Sequence, residues 1–379
     1  MTVSQLPLEH LHRIQTAIGE LDSEPDEGSV AKTIKQELPL LNGPQTLAVV
    51  DEVLKNTRGF GLLDELLSRE NVTDVLVNGH DDIWFDQGFG LEKANLRWSS
   101  DAEVREFAVR LAHQMFRRLD EVQPFVDVRL NGGIRMHAII PPLAGDKTCI
   151  SFRKPSEKTL SLEELFNREM FDAQMYEALT KIVQAGVSFL ICGGTGSGKT
   201  TLLRALLQKV PAVQRLVIVE DLYELDVAHP HAINLQTRQP NVEGIGEVSL
   251  HTLVRQALRM RPDRLVVGEI RGTEIIELFN ALNTGHKGGC ATIHANSATD
   301  VPARVETLGL MAGLPLEAIR SLLVCAVDFV IELKTTAQHQ RKVTSIKKLQ
   351  FQNGGIQAVP CSTELLHVES SKPQFVLQQ

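Results

Sequence analysis

Residues 193 to 201 read Gly193-Gly194-Thr195-Gly196-Ser197-Gly198-Lys199-Thr200-Thr201, a glycine-rich run closed by a lysine and two hydroxyls. Glycines at this spacing let successive backbone N–H groups curl around phosphate oxygens, and a helix starting just beyond adds a favourable dipole. Lys199 is then placed to reach the β- and γ-phosphates, and the Thr200 hydroxyl to help hold Mg²⁺. The run matches GxxxxGK[ST] in full. A glycine turn that binds nothing would need neither the Lys-Thr pair nor its setting, an apolar strand over 187–192 before it and an apolar helix over 201–207 after it. Nucleotide binding is the reading.

Carboxylates stand at the ends of two other apolar runs. Leu216 to Val219 leads into Glu220-Asp221, with Glu224 three residues on, and Leu265-Val266-Val267 leads into Gly268-Glu269. In open α/β sheets ligands bind beyond the carboxyl ends of strands. There a carboxylate can hold Mg²⁺ through water or position an attacking water. The bland and lesser alternative is a pair of solvated loop acids. His286 and His294 flank a short apolar segment, residues 290–293. A lone histidine is ordinarily a structural hydrogen-bonder, and no cysteine or acid shares a metal-ligand spacing with either one.

The elements that would position these groups follow from pattern. Short, wholly apolar strands at 187–192, 216–219 and 265–267 alternate with helices at 250–260 and 273–283, as a parallel sheet covered on both faces requires. Ser249 caps the first of these helices, and Gly285 closes the second. After residue 335 the chain is polar and suggests edge strands around an Asn353-Gly354 turn. The region before 155 has a different texture. It offers a short helix near 62–67, strands at 72–78 and 83–85, and an amphipathic helix over 104–118. A hairpin over 127–140 around Asn131-Gly132-Gly133 follows, then a strand at 148–153. The expected organisation is a helical extension over 1–58, an α+β domain over 59–155, a hinge over 154–162, and a P-loop α/β domain over 163–379.

Composition narrows the class. The 379 residues are 43% hydrophobic and 23% charged, which excludes wholesale disorder. The longest apolar candidate, residues 322–333, is interrupted by Asp328 and Glu332 and falls short of the roughly 18 residues that span a bilayer. Residues 1–8 lack the basic flank and apolar stretch of a secretory signal. Five scattered cysteines with no CxxC pair fit reduced cytosolic thiols better than zinc or disulfides. A net charge of −8 and 5% aromatics give no basic, stacking channel for nucleic acid. No NKxD guanine-selecting motif or LSGGQ transporter signature is present.

Four blocks in order carry a specific resemblance: residues 193–201, Val219-Glu220-Asp221-Leu222-Tyr223-Glu224-Leu225, residues 261–272, and Thr284-Gly285-His286 through Thr292-Ile293-His294-Ala295-Asn296-Ser297. They resemble the Walker A, Asp box, Walker B and His box of the type II/type IV secretion ATPase superfamily. The upstream segments 72–79, 117–120, 126–130 and 140–142 look like the CpaF/TadA branch, the ATPases of Flp/Tad-type pilus assembly. The resemblance covers about residues 60 to 335. It implies a RecA-like domain beneath an N-terminal domain, ATP and Mg²⁺ as cofactors, and a homohexameric ring. That ring would act on an inner-membrane platform protein, cytoplasmic and peripheral to the membrane through this partner, with no nucleic acid bound.

The same resemblance implies roles for individual residues. Glu269 would be the Walker B acid on Mg²⁺, Glu220 the Asp-box acid that activates water, and His294 the residue near the γ-phosphate. Arg135 and Arg153, with Arg118 as a third candidate, would reach the nucleotide from the N-terminal domain. A guanidinium fork there would bind ATP better than ADP, whereas the ordinary alternative is a surface ion pair. Leu222 departs from the proline many relatives carry, and the four-cysteine zinc module of some is absent. A pilus or secretion motor is the leading expectation. A RecA-like DNA-dependent or conjugative-transfer ATPase is the alternative, ahead of a small-molecule kinase, a GTPase or a non-catalytic scaffold.

Overall fold

The computed structural model describes residues 27–39, 43–47, 49–50, 59–88, 90–154, 159–238, 240, 244–338, 340–352 and 354–361. The chain divides into two compact units, Met1–Glu157 and Lys158–Gln379. Residues 1–26, 40–42, 48 and 51–58 of the expected helical extension, and residues 155–158 of the expected hinge, lie outside the described residues.

In the first unit, helix α1 (Glu27–Glu37) and the short α2 (Asp64–Ser68) precede six strands, β1 (Asp74–Asn78), β2 (Ile83–Asp86), β3 (Leu91–Lys93), β4 (Phe125–Arg129), β5 (Arg135–Ile139) and β6 (Cys149–Arg153). They form one sheet, ordered β3-β2-β1-β6-β5-β4, antiparallel throughout. Alternate residues are buried along β1, β4 and β5, as one covered face demands. The cover is α3 (Asp101–Gln114), whose Val104, Phe107, Ala108 and Leu111 join the core with Val75, Val77, Met136 and Phe152. Helix α3 begins before the residue its apolar pattern marks, because Ser100 caps it by accepting from the Glu103 amide. It ends four residues short of 118. Phe116 turns to φ 55°, and the Arg117 N–H reaches back to the Ala112 carbonyl, closing the last turn.

The second unit is built on eight strands: β7 (Phe189–Cys192), β8 (Leu216–Glu220), β9 (Ala232–Gln236), β10 (Arg264–Ile270), β11 (Cys290–Ile293), β12 (Phe329–Thr335), β13 (Arg341–Gln352) and β14 (Gly355–Pro360). Their order is β14-β13-β12-β7-β11-β10-β8-β9. The six from β12 to β9 are parallel, and β13 and β14 add an antiparallel edge hairpin. Helices α4 (Leu162–Asn167), α5 (Ala173–Gln184) and α6 (Lys199–Leu207) supply one apolar face, where Leu162, Leu179 and Leu206 meet Ile191 and Ile218. On the other face, α7 (Leu250–Ala257), α8 (Glu274–Asn283), α9 (Val301–Met311) and α10 (Leu316–Ala326) pack over Leu190, Val217 and Leu265. Alternate residues of each strand thus serve two cores, which is why the strands read as unbroken apolar runs.

Some elements carried no readable pattern. β9 is a half-exposed edge strand with burial graded throughout. The apolar run 322–333 is two elements, the end of α10 and most of β12, divided at Asp328, whose carboxylate accepts from the Ser188 amide at 2.9 Å. Helices α4, α5, α9 and α10 lie outside the elements expected above, although α4 opens on a Ser161–Glu164 capping box and α5 on an Asp172 cap.

Gly289 stands immediately before β11, in contact with β10 and α8. A methyl group there would lie 2.6 Å from the Leu265 carbonyl oxygen and 2.5 Å from Leu282 Cδ2. Because one of those neighbours is strand backbone, Gly289→Ala is expected to cost about 1–3 kcal/mol of stability. Urea unfolding should show a lower midpoint with an unchanged slope; an unmoved midpoint would mean that the strand yields freely.

Candidate nucleotide site

The sheet order brings the expected residues together. Four adjacent parallel strands, β7, β11, β10 and β8, deliver at their carboxyl ends the glycine-rich loop, His294, Glu269 and Glu220 in turn. This is the edge at which open α/β sheets bind ligands.

Residues 193–198 form the loop, and Lys199 opens α6 together with Thr200 and Thr201. Gly198, at φ 94°, occupies the N-cap in a left-handed conformation that favours glycine. A Cβ on Gly193 would fall 2.6 Å from Ser197 Oγ and 2.7 Å from the Leu333 carbonyl oxygen, so β12 backs directly onto the loop. By contrast, a Cβ on Gly194 or Gly196 would meet nothing within 4 Å. The Lys199 side chain is only 7% exposed, and its ammonium donates to the Gly193 and Gly194 carbonyls, both at 2.9 Å. Burial lowers its pKa, with Glu269 the strongest opposing influence. Ser197 Oγ is buried without a hydrogen-bond partner. A desolvated cation and an unpartnered hydroxyl on a loop with open space above two glycines fit a phosphate group.

Two acids face this loop in different surroundings. Glu269 belongs to the last turn of β10, where the pairing with β11 slips between Val267 and Ile270, so that the strand carries one extra residue. This bulge aims the side chain out of the core. Its Oε1 lies 2.5 Å from His294 Nε2, and its Oε2 accepts from Arg271 Nε at 2.6 Å. Burial lowers the His294 pKa, helped by Lys199, Arg271 and Arg304 and opposed by Glu269. The contact with Glu269 requires the ring to carry a proton on Nε2.

Glu220, 4% exposed, lies deeper. Its Oε1 accepts from the Leu225 and Glu224 amides at 2.9 and 3.1 Å, while Oε2 is buried with no partner. Burial pushes this carboxyl up to about 7, against the pull of those two amides. Its Cγ would be 2.8 Å from a Cβ on Gly268, so the glycine before Glu269 makes the room that Glu220 fills. One acid is thus ion-paired and the other desolvated with a free oxygen, the separation that divides acid–base tasks.

Supporting groups hold this edge in shape. Buried Glu274 accepts from the Arg271 and Gly272 amides at 2.6 and 2.7 Å, fixing the turn that presents Arg271 to Glu269. Buried Glu332, on β12, accepts from the Ala298 amide at 3.0 Å and from Ser345 Oγ, and pairs with Lys334. Burial raises its pKa, but the hydrogen bonds from Lys334 and Ala298 outweigh that and keep it low. It ties the segment after His294 to the sheet. His286, in contrast, contacts the Pro262 carbonyl at 3.2 Å and takes a structural position.

Arg135 and Arg153 belong to the first unit. They are direct partners across β5 and β6, and Arg129 is the direct partner of Arg135 on β4. Three guanidiniums therefore share one face in a transverse row. Asp127 holds Arg135 through two bonds of 2.8 and 3.0 Å, and Asp74 lies 3.4 Å from Arg153. Arg118 pairs with Asp120 instead.

A family model described as type II/IV secretion system protein matches residues 56–366. The chain belongs to this secretion ATPase family. It is an ATPase of that family, for which nucleotide binding is a shared property. A relative named "Putative conjugal transfer protein" from Mycobacterium tuberculosis is 45% identical over 321 residues, 81% of this chain and 91% of the relative. The type IV secretion system protein PtlH of Bordetella pertussis is 30% identical over 311 residues, covering 74% and 91%. The Legionella pneumophila ATPase DotB shares the fold with a TM-score of 0.53 at 20% identity, over 76% of this chain and 79% of that one. The pilus retraction motor PilT does so at 0.54 and 19%, over 80% and 84%. An antiparallel N-terminal sheet followed by a mixed C-terminal sheet is the architecture of these ATPases. The named relatives are conjugal-transfer and type IV secretion proteins, so what is established is the family and not its CpaF/TadA branch. Among the described residues no helix is long and apolar enough to cross a membrane.

For this ATPase, sequence reasoning missed Arg271, Glu274 and Glu332. Arg271 lies within residues 261–272 but follows Glu269 with no spacing rule of its own, and the two glutamates sit among apolar residues with none either.

The raised Glu220 carboxyl carries a sign. An acid whose folded pKa is raised to about 7 contributes stability below its ordinary 4.5, and this is lost as pH rises through 7. Wild-type stability relative to Glu220→Gln should therefore fall between pH 5 and pH 8 by on the order of 3 kcal/mol. Denaturant titrations at the two pH values measure it; parallel curves would place the shift elsewhere.

Proposed function

We propose that this chain hydrolyses ATP as one subunit of a homohexameric motor that serves conjugal transfer or type IV secretion. The observation that carries the chemistry is the convergence of Lys199, His294, Glu269 and Glu220 at four adjacent strand ends within a secretion ATPase. The names of the relatives support the transfer and secretion setting.

Residues 193–201 cradle the phosphates, and Lys199 exchanges its loop carbonyls for β- and γ-phosphate oxygens. The Thr200 hydroxyl and Glu269 are the residues that would hold Mg²⁺, which would neutralise charge on the phosphates. Glu220 is the general base: its free, desolvated oxygen accepts a proton from the attacking water. His294 keeps Glu269 oriented and stands near the terminal phosphate. Arg135 and Arg153 are the arginines of the first unit that recognise the charge of the triphosphate, so hydrolysis weakens their hold and couples to movement. The ring works at the cytoplasmic face of the inner membrane, touching the membrane through a platform protein. It does not itself bind DNA: the net charge of −8 argues against such a channel.

Flp/Tad pilus assembly is the second reading, supported by the upstream segments 72–79 and 126–130. Cells carrying Lys199→Ala, scored for plasmid transfer, secretion and surface pili, separate the two by which output disappears.

Lys199→Ala is expected to abolish phosphate release; unchanged turnover would reject the site. Glu269→Gln should retain ATP while lowering turnover by about 10²-fold or more, measured by nucleotide retention and phosphate release. Full turnover in that variant would remove Glu269 from the chemistry, and strong stimulation by single-stranded DNA would favour a DNA motor instead.

A further inference from the structure

Arg304 stands on the first turn of α9, and its side chain lines a recess shared with Gly193, Thr195 and His294. Its Nε is shut off from solvent and has no hydrogen-bond partner, and among the described residues the guanidinium makes no ion pair. Asp300, one helical turn earlier, lines the same recess, but its carboxylate accepts from Ser297 Oγ at 2.7 Å. The buried Nε has no acceptor, while the rest of the half-exposed guanidinium faces the recess, so an anion arriving there would supply the missing partner. The group is also close enough to the loop edge to be one of the cations that hold the His294 pKa down.

We infer that Arg304 is a phosphate ligand of the same subunit, contacting the terminal phosphate of bound ATP from the side of the recess formed by the segment after His294. Resting on the nucleotide reading above, this adds a second cation to Lys199 and one that needs no residue from the first unit. Lys199 meets the phosphates from the helix start below the loop, and Arg304 meets the last of them from beside it. The fork can bond two oxygens at once. Its preference is therefore for ATP over ADP, since ADP lacks the group it addresses.

Calorimetry of ATP and ADP binding to wild type, Arg304→Gln and Arg304→Lys tests this. Arg304→Gln should weaken ATP at least tenfold and ADP less than twofold, with Arg304→Lys between, because it keeps the charge and loses the fork. Equal weakening of both nucleotides, or none, overturns the assignment while leaving the site intact. Wild type that binds neither nucleotide overturns the nucleotide reading itself. Should Arg304→Gln not fold, the wild-type protein still decides. Phenylglyoxal modification of Arg304, mapped by mass spectrometry, should be suppressed by a non-hydrolysable ATP analogue or by orthophosphate with ADP, and not by ADP alone. Protection by ADP alone, or no protection at all, rejects the contact.

Discussion

The Lys199 ammonium, buried and held 2.9 Å from two carbonyls of its own loop, sets the terms for the second unit. A cation in such a place is tolerated only because the loop carbonyls solvate it and Glu269 lies on the same edge. Its position depends in turn on β12, whose Leu333 carbonyl leaves no room for any residue but glycine at 193. The antiparallel hairpin of β13 and β14 completes the sheet beyond β12, and Arg341 at its start lies against Gly198. Few of these groups would have reason to be buried without a phosphate to meet.

Around that cation the acids are distributed by local geometry and not by residue type. Glu269 sits on a bulge, between His294 and Arg271, with both oxygens occupied. Glu220 sits on a regular strand end, filling the space left by Gly268, with one oxygen idle. Glu332 occupies a second irregular position, where β12 slips against β13 beside Leu333, and spends its charge on the Ala298 amide and Lys334. Three glutamates thus take three arrangements: paired, desolvated with a free oxygen, and fastening a segment.

How much of this was legible depended on whether a local rule existed. The glycine-rich loop, the buried strands and the Ser249 cap follow from spacing and were readable one element at a time. The ends of α3 were less so, because a cap and a left-handed phenylalanine, not hydrophobic period, decide them. β9 escaped notice because a half-covered edge strand alternates with nothing. At the site, Glu220, Glu269 and His294 were visible as polar residues at the ends of apolar runs. Arg304 was not, being one arginine on a helix with its neighbours in chain order uninformative. Only the folding of α9 against the loop edge gives it meaning.

The extra residue of β10 has a bearing on how such proteins diverge. Beyond Val267 the strand is out of phase with β11 by one pleat step. Deleting a single residue there would bring the two strands back into step and turn Glu269 toward the packed interior, whereas a substitution nearby leaves the phase untouched. A length change at residues 268–269 would redirect the Glu269 side chain, whereas one in a surface loop would not. The spacing between β10 and α8 therefore matters to the placement of Glu269 as much as the residue identities do.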